Sequence, residues 1–319
     1  MKRTSMATLA VVAGLLAGCA APAVAPATGD GLNGTITVSG AFALYPLMVK
    51  WGEEFQKLHP GVQFDISAGG AGKGMTDALA GQVDIGMVSR EIKADEEQQG
   101  AYWVSVTKDA VFGIVNAQNP VLAELKSKGV TREILIDIYI TGKIKTWGEV
   151  VGKPEIKDEI HAYTRSDAAG APETWAKYLD NKKQEDLQGV GVFGDPGITD
   201  AVAKDPLGIG YNNLGYAYDA TSGNPITGID VVPIDVKADG QIDATETIAT
   251  KAQAIAAVAT GHYSSPPARA LNVVTKGKPT GLVQAFILWT LTDGQQYVDS
   301  AGYIPLTKAL LDDGIAKLK

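Results

Sequence analysis

One local pattern recurs three times along the chain: a short apolar strand, a turn of small residues, and then a helix. The strand at 35–38 leads into the turn 40–45, the strand at 62–66 into 69–74, and the strand at 162–164 into 167–171. Strands joined through helices can pair in parallel, whereas tight hairpins make antiparallel pairs. The pattern therefore predicts an α/β fold in which a mostly parallel sheet is flanked by helices.

The length of 319 residues is enough for two lobes of this kind. We expect one lobe to comprise residues 35–112 together with 266–319, and the other to comprise 113–265. A ligand bound between two such lobes would be met by turns from both.

Composition excludes several classes of function. The net charge is −8, and a protein that binds a nucleic acid backbone usually carries a basic excess. One cysteine cannot form an internal disulfide, and together with three scattered histidines it offers no convincing metal site. We therefore expect no nucleic acid partner, no metal and no cofactor.

The N-terminus has the features of an export signal. Lys2 and Arg3 precede a short apolar run that is too short to span a bilayer. The run ends in Leu-Ala-Gly-Cys at 16–19, which resembles the bacterial lipobox. That resemblance implies cleavage after residue 18 and lipid on Cys19, so that the protein is held at a membrane surface of the cell envelope. The following segment contains Pro, Ala, Gly and Thr without periodicity, which predicts a flexible tether over 19–34. The alternative is an ordinary signal peptide with an incidental cysteine.

The three turns are candidate anion sites. Unpaired N–H groups and the helix dipole both favour negative charge at a helix N-terminus. Arg90 and Arg165 each follow a strand directly, and a guanidinium offers two parallel donors to an oxyanion. Each feature also has a simpler reading: tight packing for the glycines, a salt bridge for each arginine, a helix cap for Asp167 and solvent exposure for Lys73. The turn 69–74 matches neither nucleotide-binding glycine pattern.

In several segments the chain resembles the periplasmic phosphate-binding proteins of ABC transporters, which have the type II substrate-binding fold. The matching segments lie at 36–46 (ITVSGAFALYP), 70–75 (GAGKGM), 83–92 (VDIGMVSREI), 141–147 (TGKIKTW), 164–171 (TRSDAAGA), 209–218 (IGYNNLGYAY), 274–281 (VTKGKPTG) and 301–306 (AGYIPL). The resemblance implies a two-lobed, monomeric clamshell that captures inorganic phosphate and delivers it to a membrane permease.

The resemblance also carries an anion site onto this chain. Its residues are Ala41, Phe42, Ala43, Gly70, Ala71, Gly72, Lys73, Ser89, Arg90, Arg165, Asp167, Ala169, Gly170 and Ala171. Members of the family commonly have serine or threonine at several positions where this chain has alanine or phenylalanine. Several also have, after the third strand, an aspartate that accepts the phosphate proton, and here Ser89 and Arg90 stand in that place. Asp167 could accept this proton if Arg165 does not occupy it.

Three other functions remain open from the sequence. The absence of the serine and threonine hydroxyls that are common in the family favours a receptor for another oxyanion, such as sulfate, or for a small carboxylate. A hydrolase is disfavoured, because His59, His161 and His262 lie outside the three turns and no Gly-x-Ser-x-Gly motif occurs. A structural or adhesion protein would bind no small ligand. The acidic residues 95–97 are interpreted as a solvated helix start.

Overall fold

The structure, a computed structural model, describes residues 31–264 and 267–319. The predicted leader 1–18, Cys19 and the tether up to residue 30 lie outside the described residues. The first strand begins at Gly34, so the predicted end of the tether at residue 34 is one residue too late. Within the described ranges, no helix combines the length and the apolar character needed to span a bilayer.

The strands form one continuous sheet across the described residues. In chain order they are β1 Gly34–Gly40, β2 Val62–Ala68, β3 Ile85–Val88, β4 Ala101–Asn116, β5 His161–Arg165, β6 Val190–Val192, β7 Gly208–Asn213, β8 Ile229–Val231 and β9 Ala268–Lys276. Their spatial order is β2-β1-β3-β9-β4-β7-β5-β6, and β8 pairs with β4. At each end of the sheet the pairs are parallel (β1 with β2 and β3, β5 with β6 and β7), as the strand–turn–helix pattern predicts. The pairs that β4 and β9 make are antiparallel, so the sheet is mixed and the expectation of a mostly parallel sheet holds only at its two ends.

Helices connect the parallel strands and cover the sheet. They are α1 Tyr45–Leu58, α2 Ala71–Ala80, α3 Ala94–Gln98, α4 Leu122–Lys128, α5 Arg132–Tyr139, α6 Trp147–Val151, α7 Gly170–Asp180, α8 Gly194–Lys204, α9 Leu214–Ala217, α10 Lys251–Ala259, α11 Gly281–Leu291 and α12 Lys308–Leu318. Helix α1 begins with a proline in its first turn and buries Leu47, Trp51 and Phe55 on one face. In the sequence these three residues and Leu58 recur at helical spacing, which predicts this helix.

Two separate hydrophobic cores give the molecule its two lobes. The first lobe is built on buried residues within 36–106 and 271–318, and the second on buried residues within 110–268. Trp51 and Trp289 lie in the first core, and Trp147 and Trp175 in the second. The predicted α/β class with two lobes is thereby confirmed.

Strands β4 and β9 join the lobes. They pair antiparallel from Ala101↔Lys276 to Ala110↔Ala268, and each passes from one core into the other. The continuous apolar run at 111–116 predicts a strand only over those residues. In the structure β4 continues back to Ala101.

Candidate anion-binding site

The first lobe contributes two strand-to-helix turns that pack closely against each other. A Cβ added to Gly40 would lie 2.3 Å from the Met87 carbonyl oxygen and 2.8 Å from the Gly74 Cα atom. Gly40 also has a φ of 131°, which side-chain-bearing residues rarely adopt. Glycine at 40 and 74 therefore lets the end of β1 lie directly on the start of α2.

The second lobe brings its own turn, 166–170, against these two. The Gly72 N–H donates to the Ala168 carbonyl at 3.1 Å. A Cβ on Gly70 would lie 2.7 Å from Asp167 Oδ2, and one on Gly170 would lie 2.2 Å from the Ser89 carbonyl oxygen. The starts of α1, α2 and α7 and residue Ser89, which the sequence predicts as one site, therefore lie at one junction between the lobes.

Several backbone amides at this junction make no hydrogen bond within the part of the chain that the structure describes. Five of them belong to the small residues and Phe42 of the three turns, namely Phe42, Ala43, Ala71, Gly170 and Ala171, and the amide of Lys73 in the first turn of α2 is a sixth. Two other predicted donors are already used, since Ala41 N–H donates to the Met87 carbonyl and Ala169 N–H to Gln184 Oε1. Amides of this kind, reinforced by the helix dipoles, form an oxyanion-binding surface without any side chain.

Arg165 lies behind these amides and is fully engaged by protein carboxylates. Its Nε and Nη2 donate to the two oxygens of Asp167 at 2.8 and 2.5 Å, and its Nη1 donates to Asp195 Oδ1 at 2.7 Å. Burial alone would lower the pKa of Arg165. The attraction to the carboxylates of Asp195 and Asp167 has the larger effect, so the pKa of Arg165 is raised. Both oxygens of Asp167 accept hydrogen bonds from Arg165. This carboxylate is therefore not free to accept the proton of a phosphate ion.

A second buried arginine, Arg269, was not predicted. It pairs with Asp109 at 3.3 Å across β4 and β9, and its Nε donates to the Ser89 carbonyl at 3.0 Å. Its Nη2 donates to Asn213, whose Nδ2 in turn donates to Asp195. Burial raises the pKa values of Asp109 and Asp195. The available sequence signal was an arginine placed directly before the apolar run of β9.

Arg90 is also engaged by carboxylates, one from its own lobe and one from α7 of the second lobe. Its guanidinium makes a two-point ion pair with Glu96 at 2.6 and 2.9 Å, and its Nε lies 3.2 Å from Glu173. The interpretation of 95–97 as a solvated helix start is therefore wrong for Glu96, which is 8% exposed. Lys73 pairs with Asp77 on its own helix and is half exposed.

The charges around the junction nearly cancel. Asp109, Asp167 and Asp195 face Arg165 and Arg269, so an incoming anion meets no free guanidinium in the described residues. No group of three or more His, Cys, Asp or Glu side chains in those residues is placed to hold a metal ion. The donors that remain include the five turn amides, the Lys73 amide and the buried hydroxyl of Ser89.

Comparisons with known proteins agree with this architecture. Residues 25–294 match the family model of the PBP superfamily domain. The chain is 29% identical over 279 residues to the phosphate-binding protein PstS of Bacillus subtilis, covering 86% of this chain and 82% of that protein. It is 27% identical to PstS of Pseudomonas aeruginosa, over 68% of this chain and 71% of that one.

Solved structures show the same fold. A phosphate ABC transporter substrate-binding protein from Clostridium perfringens, with bound phosphate, superposes with a TM-score of 0.70 at 26% identity, covering 86% of this chain and all of that one. A phosphate transport receptor from Vibrio cholerae has a TM-score of 0.61 at 19% identity, covering 85% of this chain and all of that one. At that identity the likeness concerns the fold alone.

Proposed function

Because the chain belongs to the PBP superfamily, we propose that it is a receptor that binds inorganic phosphate between its two lobes and delivers it to an ABC permease. The observation that carries this proposal is the group of five unpaired amides at the junction of three helix starts. The proposal is supported by the similarity to PstS of Bacillus subtilis and to the phosphate-bound protein of Clostridium perfringens.

The proposed ligands are main-chain groups. The amides of Phe42, Ala43, Ala71, Gly170 and Ala171, with the Ser89 hydroxyl, offer six donors from two lobes. Hydrogen bonds to a charged acceptor are worth about 1.5–3 kcal/mol each, so such a set can hold an anion tightly even in an acidic protein. Arg165 keeps the α7 turn in place through its two hydrogen bonds to Asp167.

The wider proposal concerns place and assembly. A leader at 1–18, lipid on Cys19 and a tether up to the first strand would hold the receptor at the outer side of the membrane, next to its permease. We propose lobes of 35–112 with 266–319 and of 113–265, closing as a monomer around the anion. The receptor performs no chemistry on its ligand.

One observation favours a second candidate, sulfate. Both oxygens of Asp167 accept hydrogen bonds from Arg165, and Oδ1 also accepts one from the Gly194 N–H at 3.0 Å. At neutral pH phosphate still carries a proton that needs an acceptor, whereas sulfate carries none. An unmatched buried donor costs about 1–3 kcal/mol.

Calorimetric titration of the processed protein with phosphate and with sulfate tests both readings. We expect phosphate to bind, with a preference over sulfate of no more than about 100-fold, since the site has no free carboxylate to reward the extra proton. The absence of phosphate binding would refute the proposed function. A preference far above 1000-fold would show that a proton acceptor is present and would exclude the sulfate reading.

A further inference from the structure

Phe42 spans the junction between the lobes. Its backbone lies in the first-lobe turn between β1 and α1, but its ring reaches groups of the second lobe. The ring lies 5.5 Å from the Arg165 guanidinium carbon and 6.0 Å from the Phe193 ring in an edge-to-face arrangement. The Phe42 carbonyl also accepts a hydrogen bond from the Tyr216 hydroxyl at 3.3 Å.

Phe193 presents its ring to Phe42 from the start of α8. It is 62% exposed, which is unusual for a large apolar side chain, and it directly precedes Gly194. A Cβ on Gly194 would lie 3.1 Å from the tip of the Phe42 ring, so the α8 start and the ring are in close contact. The Phe42 ring therefore contacts both Arg165 and the start of α8.

The contacts of the Phe42 ring join the two lobes directly and do not involve the anion. They are an edge-to-face aromatic pair with Phe193 and a cation–π contact with Arg165, both of which are favourable geometries. Two of the five unpaired amides, those of Phe42 and Ala43, belong to the same turn as the ring. A residue that fixes the ring thereby fixes the position of these amides relative to α7.

We propose that Phe193 is a positioning residue for the anion site. By holding the Phe42 ring, it keeps the β1–α1 turn against the second lobe and favours the closed arrangement of the lobes. The expected effect of Phe193 on the rate of phosphate release rests on the proposed function, whereas its expected effect on lobe closure does not.

The test compares Phe193→Ala with two matched variants. Phe193→Tyr keeps the aromatic ring, and Val190→Ala removes an equally exposed apolar side chain (61%) from β6 of the same lobe. Small-angle scattering without added anion measures the opening of the lobes. Stopped-flow release of phosphate to a fluorescent phosphate sensor measures the dissociation rate.

We expect Phe193→Ala to scatter as a more open particle and to release phosphate about 2- to 10-fold faster, the range that corresponds to losing one aromatic pair. Phe193→Tyr and Val190→Ala should behave as the wild type, and thermal unfolding should be nearly unchanged because Phe193 is exposed. A more open Phe193→Ala in a protein that binds no phosphate would support the lobe contact while refuting the proposed function.

Two results would overturn the inference. One is a Phe193→Ala protein with wild-type scattering and a wild-type release rate. The other is an equal change in Val190→Ala, which would assign the effect to exposed apolar surface in general.

Discussion

Substitution of Gly170 by alanine should abolish anion binding without unfolding the protein. Gly170 is the first residue of α7, and its φ is one that alanine also adopts, so the backbone itself is not strained. The added Cβ, however, would lie 2.2 Å from the Ser89 carbonyl oxygen and 2.3 Å from Ser89 Oγ. Ordinary contact begins at 3.4 Å, so the α7 start and Ser89 must separate by about 1 Å.

The size of the effect follows from the donors on that turn. A shift of this size takes the Gly170 and Ala171 amides out of hydrogen-bonding range, since such bonds weaken steeply beyond about 3.2 Å. Two bonds to a charged acceptor are worth roughly 3–6 kcal/mol, which corresponds to a loss of about 100- to 10,000-fold in affinity. The added methyl group should cost about 1–3 kcal/mol of folding stability.

Calorimetry with phosphate and urea unfolding measure the two quantities separately. Gly215→Ala is the matched control, because a Cβ at that position in α9 meets no atom within 4 Å. We expect the control to bind as the wild type. If Gly170→Ala binds phosphate within a few-fold of the wild type while remaining folded, the α7 amides are not ligands and the proposed site is wrong.

Further predictions concern the Arg90 ion pair and the α7 cap. Glu96→Gln should lower the free energy of unfolding by about 3–5 kcal/mol in urea, because it leaves buried Arg90 without its main carboxylate. Burial raises the pKa of Glu96, but its hydrogen bonds from Arg90 outweigh burial and hold the pKa below 4.5. The stabilisation that this ion pair gives the wild type is therefore fully present above pH 4.5 and is lost as the pH falls through the lowered pKa. Lowering the pH from 7 to 3 should therefore reduce the free energy of unfolding of the wild type more than that of Glu96→Gln. Ala169→Ser should cap α7, which has no side-chain cap, and so raise stability by about 0.5–2 kcal/mol in thermal melts.

Local elements were predictable because their signals are local. The sequence predicts one helix over 131–141 and another over 282–291, and the structure has helices over Arg132–Tyr139 and Gly281–Leu291. Hydrophobic spacing and glycine turns act within a few residues, so they can be read without the rest of the molecule. Helix α8 was missed, because two glycines and a proline within its first four residues, Gly194 to Gly197, resemble a loop.

The partners of the charged residues were not predictable in the same way. Arg165 was expected at the site, and its place after β5 is correct, but Asp195 lies 30 residues further on. Arg269 and Asp109 are 160 residues apart and meet only because β4 and β9 pair in one register. A sequence shows that an arginine follows a strand, whereas the tertiary structure decides which carboxylates reach it.

The sequence by itself therefore determined the α/β class, the three small-residue turns and the residues that start their helices. These depend on short-range steric and hydrogen-bonding rules. Only the tertiary structure decided that Arg90 and Arg165 are already neutralised, that Phe42 reaches across to the second lobe, and that backbone amides are the donors left for an anion. Those outcomes depend on which distant groups share a buried space, where each charge must find a partner or remain unpaired at high cost.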